Sequence, residues 1–218
     1  NAGVPGEAAI AADFAAGRIT RAEAVLRLDA GFDPATAMAA YRDLAARGVS
    51  VTPTLNGSRI LAFLDQDDHS HDEGLAYIGP RLRATYDWRI RRAAQATPEQ
   101  VAQRHAEYRH VLAVLPMLQA AGVSIMAGTD AGFLNSYNYP GFGLHDELEL
   151  FTASGLTPAQ ALASATRAGP AWFGWMDRFG SIDVDKAADL VLLDANPLAD
   201  IRATRAIRAV VLRGTLHD

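Results

Sequence analysis

The sequence predicts an α/β fold followed by a small β-rich unit. Two segments with helical caps run through a glycine into a brief apolar stretch, at Gly48 before "VSVTPTL" and at Gly122 before "VSIMAGTD". Short apolar runs of this kind suit strands covered on both faces, as in parallel sheets and barrels. From about Gly180 the pattern changes to "GSIDVDKAADLVLLDANPLADI" and "AIRAVVLRGTLHD", two β-rich stretches with turn residues between them.

The helices declare themselves by their starts. Thr20 with Glu23 opens "TRAEAVLRLDAG", and Asp33 opens "DPATAMAAYRDLAARG", which stops at Gly48. Thr97, Pro98 and Gln100 form a capping box with proline at the first helical position, followed by Val101, Tyr108, Leu112, Leu115 and Leu118 on one face. Pro116 is expected to kink or split that helix, because it removes a backbone donor and crowds the preceding turn. Thr157, Pro158 and Gln160 repeat the box before "ALASATRAG". Between Asp65 and Trp88 the chain is first acidic, then aromatic and basic, which reads as an excursion after the first strand.

Composition narrows the partners. Of 218 residues half are hydrophobic, enough for a substantial core, and 20 basic against 25 acidic residues give a net charge of −5. Scattered basic residues lack the electrostatic footprint of a nucleic-acid binder. With no cysteine, there is no thiolate ligand or nucleophile, so any metal must be held by histidines and carboxylates. No apolar run approaches the roughly 20 residues of a membrane span, and "NAGVPGEAAIAADF" lacks the regions of a signal peptide. The compartment stays open.

Asp130 stands out at the end of "VSIMAGTD", among Gly128, Thr129, Ala131 and Gly132, small neighbours that let backbone or substrate come close. In α/β architectures functional groups gather at the C-terminal ends of strands, the position Thr54 shares. A carboxylate there is a hard ligand for a divalent metal and a proton acceptor, or else a cap for the next turn.

"GVSIMAGTDAG", "GFGLHDELELFTASGLTPAQALASATRAGPAWFG", "GSIDVDKAADLVLLDANPLADI" and "IRAVVLRG", in this order and spacing, resemble the C-terminal half of the amidohydrolase superfamily. The nearest branch is that of the imidazolonepropionase-like and Xaa-Pro dipeptidase-like hydrolases, and the likeness runs from about Gly48 to the end. It implies the last strands and helices of a (β/α)8 TIM barrel over residues 1–178, with a lid-like insertion at about 56–96. Residues 179–218 would be part of a β-sandwich. "VSVTPTL" would be the seventh strand and Asp130 the end of the eighth, binding one or two divalent ions, zinc by expectation, and taking the proton of the attacking water. The resemblance further implies that a His-x-His, a lysine or glutamate and further histidines complete the metal site from earlier strands, which are expected to lie outside this sequence. A larger enzyme or a second chain is therefore expected to supply the rest of the barrel.

The other candidates carry plainer readings beside functional ones. His145 in "GLHDELELF" is read as a substrate-side residue or an ordinary helix-start histidine, Glu147 as a helix-dipole acid and Glu149 as surface. Tyr137, Tyr139 and Phe142 form an aromatic loop that either lines an apolar substrate pocket or packs on itself. The "HSH" at 69–71 imitates a metal motif but lies in a polar stretch, and is expected to be a solvated loop. His105 and His110 read as helix surface or satisfied partial burial, and Arg89, Arg91 and Arg92 as a solvated face. Trp172 and Trp175 are expected to pack the barrel against the β unit. Lys186 and Asp189 are expected to fix a turn before a buried strand.

The resulting expectation is a metal-dependent hydrolase of an amide or cyclic amide C–N bond, acting on a small molecule or dipeptide, with homo-oligomerisation expected. The alternatives are deamination on the same scaffold, or a catalytically incomplete scaffold that lacks the histidine ligands.

Overall fold

The structure, a computed structural model, describes residues 3–132 and 135–217. The chain divides into two compact units, Asn1–Ser50 with Met117–Ser124, and Val51–Pro116 with Ile125–Asp218.

Helices α1 (Glu7–Ala15), α2 (Arg21–Ala30) and α3 (Pro34–Ala46) build the first unit. Helix α2 begins at the expected box: the Thr20 N–H donates to the Glu23 carboxylate at 2.8 Å, and the Glu23 N–H donates to the Thr20 hydroxyl at 3.2 Å. Helix α3 begins where the Asp33 carboxylate accepts from the Thr36 N–H at 2.8 Å, with Pro34 at the first helical position. Val4, Ala24, Ala37, Tyr41 and Val123 are buried in this unit. Gly3 has a φ of 126°, and a Cβ there would lie 2.5 Å from that of Ala37, so both conformation and space require glycine.

Strands β1 (Ser50–Val51) and β2 (Ser124–Ile125) make a two-stranded sheet, and the Met126 N–H donates to the Val51 carbonyl at 2.9 Å. Both are shorter than the strands expected from "VSVTPTL" and "VSIMAGTD". The backbone leaves the ladder because the Ala127 N–H turns to the Ser164 carbonyl at 3.1 Å and Thr54 adopts a left-handed conformation. No closed barrel forms among the described residues.

The expected excursion is largely helical. Helix α4 (Leu55–Ala62), a single 3-10 turn (Glu73–Tyr77) and α5 (Pro80–Ala93) lead to the long α6 (Pro98–Ala120). Thr97 and Gln100 cap α6 reciprocally, at 3.0 and 3.3 Å. Of the kink or split expected at Pro116, the split does not occur: α6 runs as one helix through Pro116. A proline removes one donor, and the bonds beyond it resume, as from the Ala121 N–H to the Met117 carbonyl at 2.9 Å.

Helices α7 (Phe142–Ala153), α8 (Pro158–Thr166) and α9 (Ala168–Phe173) follow β2, with Thr157 and Gln160 boxing the start of α8. The tail is an antiparallel sheet in the order β3 (Leu190–Leu193), β4 (Ile207–Leu212), β5 (Thr215–His217), with Leu190 opposite Val211.

Two packing expectations are corrected here. Strand β3 is not buried: Leu190, Val191 and Leu192 are exposed. Lys186 bonds to Ser181 at 2.5 Å and pairs with Asp183 at 3.4 Å, not with Asp189, which accepts from the Arg213 N–H at 2.7 Å and sets the turn before β5. Trp172 and Trp175 do not pack the two parts together either. Trp172 is 56% exposed, and Phe173 stacks on Trp175 at 4.6 Å, so the rings cover chiefly one another. Among the described residues no helix is long and apolar enough to cross a membrane.

Candidate active site

The second unit brings together the loops that leave β1 and β2. Gly128 allows the closest approach, since a Cβ there would stand 2.7 Å from the Thr52 side chain. Two residues on, Asp130 is exposed and left-handed, with a φ of 53°. Aspartate and asparagine tolerate that region better than most residues. The Asn135 amide holds it there, donating to the Asp130 carbonyl at 2.5 Å and to its carboxylate at 2.9 Å.

Behind this loop lies a polar junction that local sequence rules did not reveal. Thr54, in the left-handed region at φ 49° and ψ 47°, precedes α4 without capping it. Glu147 from α7 does so instead: its carboxylate accepts from the Leu55 N–H at 2.8 Å and the Asn56 N–H at 2.7 Å. An anion at a helix N-terminus meets both free donors and the positive end of the helix dipole. Glu147 is fully buried, and burial pushes its carboxyl up to about 7 against the opposing effect of those two bonds. Its expected role as a first-turn dipole acid of its own helix is thus corrected. The signal was present, because Leu144, Leu148 and Phe151 mark the apolar stripe of α7 and Glu147 falls on that stripe.

From Asn56 the junction continues. Its amide donates to Asn138 Oδ1 at 3.1 Å, and the Asn138 amide donates to the Thr129 carbonyl, next to Asp130. Gly143 makes room, since a Cβ there would lie 2.5 Å from Asn138 Oδ1.

The aromatic loop lines a cleft of about 650 Å³ with Asn56, His69, Asp72, Tyr137, Tyr139 and Phe142 on its walls. The Tyr139 hydroxyl and His69 Nδ1 both lie 2.9 Å from the same Asp72 oxygen. A carboxylate accepts there, so Nδ1 carries the imidazole proton. His69 stacks on Tyr137 at 4.5 Å, and its side chain is only 12% exposed. The solvated-loop expectation for "HSH" therefore fails for His69, because Tyr137, far along the chain, covers it; His71 remains exposed. Burial and the bond to Asp72 raise the Tyr139 hydroxyl well above its ordinary range. A Cβ at Gly74 would fall 2.3 Å from the Tyr139 ring, so that ring sits directly on bare backbone.

His145 lies elsewhere. The Thr204 hydroxyl donates to the Ile201 carbonyl at 2.9 Å, so its oxygen accepts from His145 Nδ1 at 3.0 Å. Burial, aided by Arg205, lowers the His145 pKa. Arg205 in turn grips Asp146 at 2.5 Å and Glu149 at 2.8 Å, tying α7 to the turn at Ile201–Arg205. His105 bonds Asp65 at 3.0 Å and stacks on Phe63 at 4.4 Å.

Among the described residues no three histidines, aspartates or glutamates gather in a way that could hold a metal. Asp130 alone does not meet the three or four ligands of a protein zinc site, so the residues present do not fit a complete metal centre.

The model of the amidohydrolase family matches residues 21–216, and the chain belongs to that family, one of hydrolytic enzymes. Solved structures agree. A prolidase complexed with N-methylphosphonate-L-proline is 26% identical, with a TM-score of 0.56 over 83% of this chain and 38% of that one. A Xaa-Pro dipeptidase with bound methionine is 22% identical, with a TM-score of 0.57 over 81% and 36%. A bottromycin amidohydrolase is 23% identical, with a TM-score of 0.63 over 78% and 37%. This chain thus spans rather more than a third of the length of each, and the latter two bear on the fold alone. A comparison with curated proteins finds no match.

Proposed function

We propose that this chain carries the Asp130-bearing part of a hydrolase that cleaves an amide C–N bond, with a dipeptide or cyclic amide as substrate. The observation that carries the reading is Asp130 itself, an exposed carboxylate just beyond β2 whose backbone and oxygen are both held by Asn135. Membership of the amidohydrolase family supports the reaction class, and the likeness to a proline-dipeptide hydrolase supports the dipeptide.

Hydrolysis of an amide needs a base for the attacking water and an acid for the departing nitrogen. Asp130 supplies both in turn: it accepts a proton as the water oxygen bonds to the carbonyl carbon, then delivers it to the nitrogen as the C–N bond breaks. Tyr137 and Tyr139 present an aromatic wall for the substrate's apolar part. His145, held by Thr204, positions α7. Divalent metals are general in this family, and the remaining ligands would come from residues other than those described.

The test is Asp130→Asn in the active enzyme, assayed on Xaa-Pro dipeptides and cyclic amides. Turnover is expected to fall by about 10³-fold or more with unchanged circular dichroism. Activity within about tenfold of wild type would remove Asp130 from the chemistry.

A further inference from the structure

Asp130 belongs to a closed circuit of hydrogen bonds. On one side the Asn135 amide donates to its carbonyl at 2.5 Å and to its carboxylate at 2.9 Å. The Asn135 carbonyl in turn accepts from the Asn138 N–H at 3.3 Å. On the other side the Asn138 amide donates to the carbonyl of Thr129, the residue before Asp130. Both routes out of Asp130 therefore end on the same residue.

The circuit has an unfavourable backbone to hold. Asp130 and Tyr137 are both left-handed, at φ 53° and 63°, a region that a bulky residue rarely enters. Such conformations persist where surrounding bonds over-determine them.

Asn138 is fixed from outside the loop as well. It has no exposed surface, and its Oδ1 receives from the Asn56 amide at 3.1 Å. The Asn56 N–H is held in turn by Glu147 at 2.7 Å. Glycines close on the amide from two helices: a Cβ at Gly57 of α4 would lie 3.2 Å from Asn138 Nδ2, and one at Gly143 of α7 would lie 2.5 Å from Oδ1. Close packing on both sides leaves the amide little room to shift. Because misplacing a reacting group by about 1 Å can cost about 100-fold in rate, rigidity here bears on turnover.

We infer that Asn138 is a positioning residue, holding the Asp130 carboxylate in its reacting orientation through Thr129 and Asn135, which presupposes the role proposed above for Asp130. Fully buried, Asn138 cannot touch substrate. Its loss should therefore lower kcat and leave KM nearly unchanged.

The experiment measures kcat and KM of the active enzyme on Xaa-Pro dipeptides and cyclic amides, each variant first shown to be folded by circular dichroism. Asn138→Leu keeps the size and removes both polar functions; kcat should fall by about tenfold to about 100-fold, with KM within about twofold. Asn138→Asp supplies a conservative rescue. Its ionised carboxylate receives from Asn56 but cannot donate to Thr129, whereas the protonated acid can do both. Burial raises a carboxyl above the usual value of about 3.9, so kcat relative to wild type should be low at about pH 8 and recover by about tenfold towards about pH 5. Glu147 is common to both proteins, so the ratio removes its titration. Thr157→Ala deletes the α8 cap without touching this loop, and should destabilise while leaving kcat unchanged. If the leucine variant does not fold, Asn138→Asp carries the test.

The inference is overturned if folded Asn138→Leu turns over within about threefold of wild type. A relative kcat of Asn138→Asp that is flat with pH overturns it too, as does an equal loss of turnover in Thr157→Ala. Wild-type turnover in Asp130→Asn would remove the role of Asp130 and this inference with it; loss there beside full turnover in Asn138→Leu would remove Asn138 alone.

Discussion

Replacing Glu147 by glutamine should change the pH dependence of stability in a direction opposite to the usual carboxylate. Burial raises this carboxyl from 4.5 to about 7 in the folded protein. The folded state therefore binds the proton more tightly than the unfolded chain does. Stability from this group is complete below about pH 4.5 and is lost as pH rises to about 7, beyond which the loss is constant. At about 1.4 kcal/mol per pH unit the window amounts to about 3 kcal/mol. The Glu147→Gln protein has no such titration, although it loses one of the two acceptor oxygens facing Leu55 and Asn56. Urea unfolding of both proteins at steps between pH 4 and pH 8 isolates the effect. The stability of wild type minus that of the variant should shrink by about 3 kcal/mol from the acid to the alkaline end. Parallel profiles would refute the reasoning, because they would mean that Glu147 has the same proton affinity folded and unfolded.

Two further substitutions probe the surroundings. Gly143→Ala should destabilise by about 1–3 kcal/mol by driving a methyl into Asn138, whereas Gly169→Ala, in α9 with open space around it, should be neutral or stabilising; equal midpoints in urea would count against the crowding at Gly143. Tyr139→Phe should lose about 1 kcal/mol in the same assay by removing the donor to Asp72, and no loss would mean that water replaces that hydroxyl without penalty.

What could be read from the sequence is what local physics decides. The caps at Thr20, Asp33, Thr97 and Thr157 each join residues three apart, so a four-letter pattern contains the whole interaction. The β-rich character of the tail was similarly visible in two apolar stretches with turn residues between them, whereas its antiparallel order was not. Glu147 illustrates the opposite case. Its partners are 91 and 92 residues away, and a rule about acids in first turns cannot see them. His69 was misjudged for the same reason, since the ring that covers it is Tyr137. Trp172 and Trp175 show the limit for large apolar side chains: their chemistry predicts that something should cover them, but not what. Asp130 was conspicuous because small residues surround it, whereas the Asn135 amide that holds it became visible only in three dimensions.

The chain of side-chain amides from Asn56 through Asn138 to Thr129 has a sense of direction. Each asparagine gives from its nitrogen, and Asn138 also receives on its oxygen, so neither group can be turned around without placing like against like. Position 138 therefore accepts a very small alphabet. Aspartate would receive but could not give, leucine could do neither, and serine is too short to do both. An amide that must receive from α4 and give to the strand end beside Asp130 works as a one-way connector. The place where two loops meet is thus specified by the polarity of one side chain rather than by its bulk.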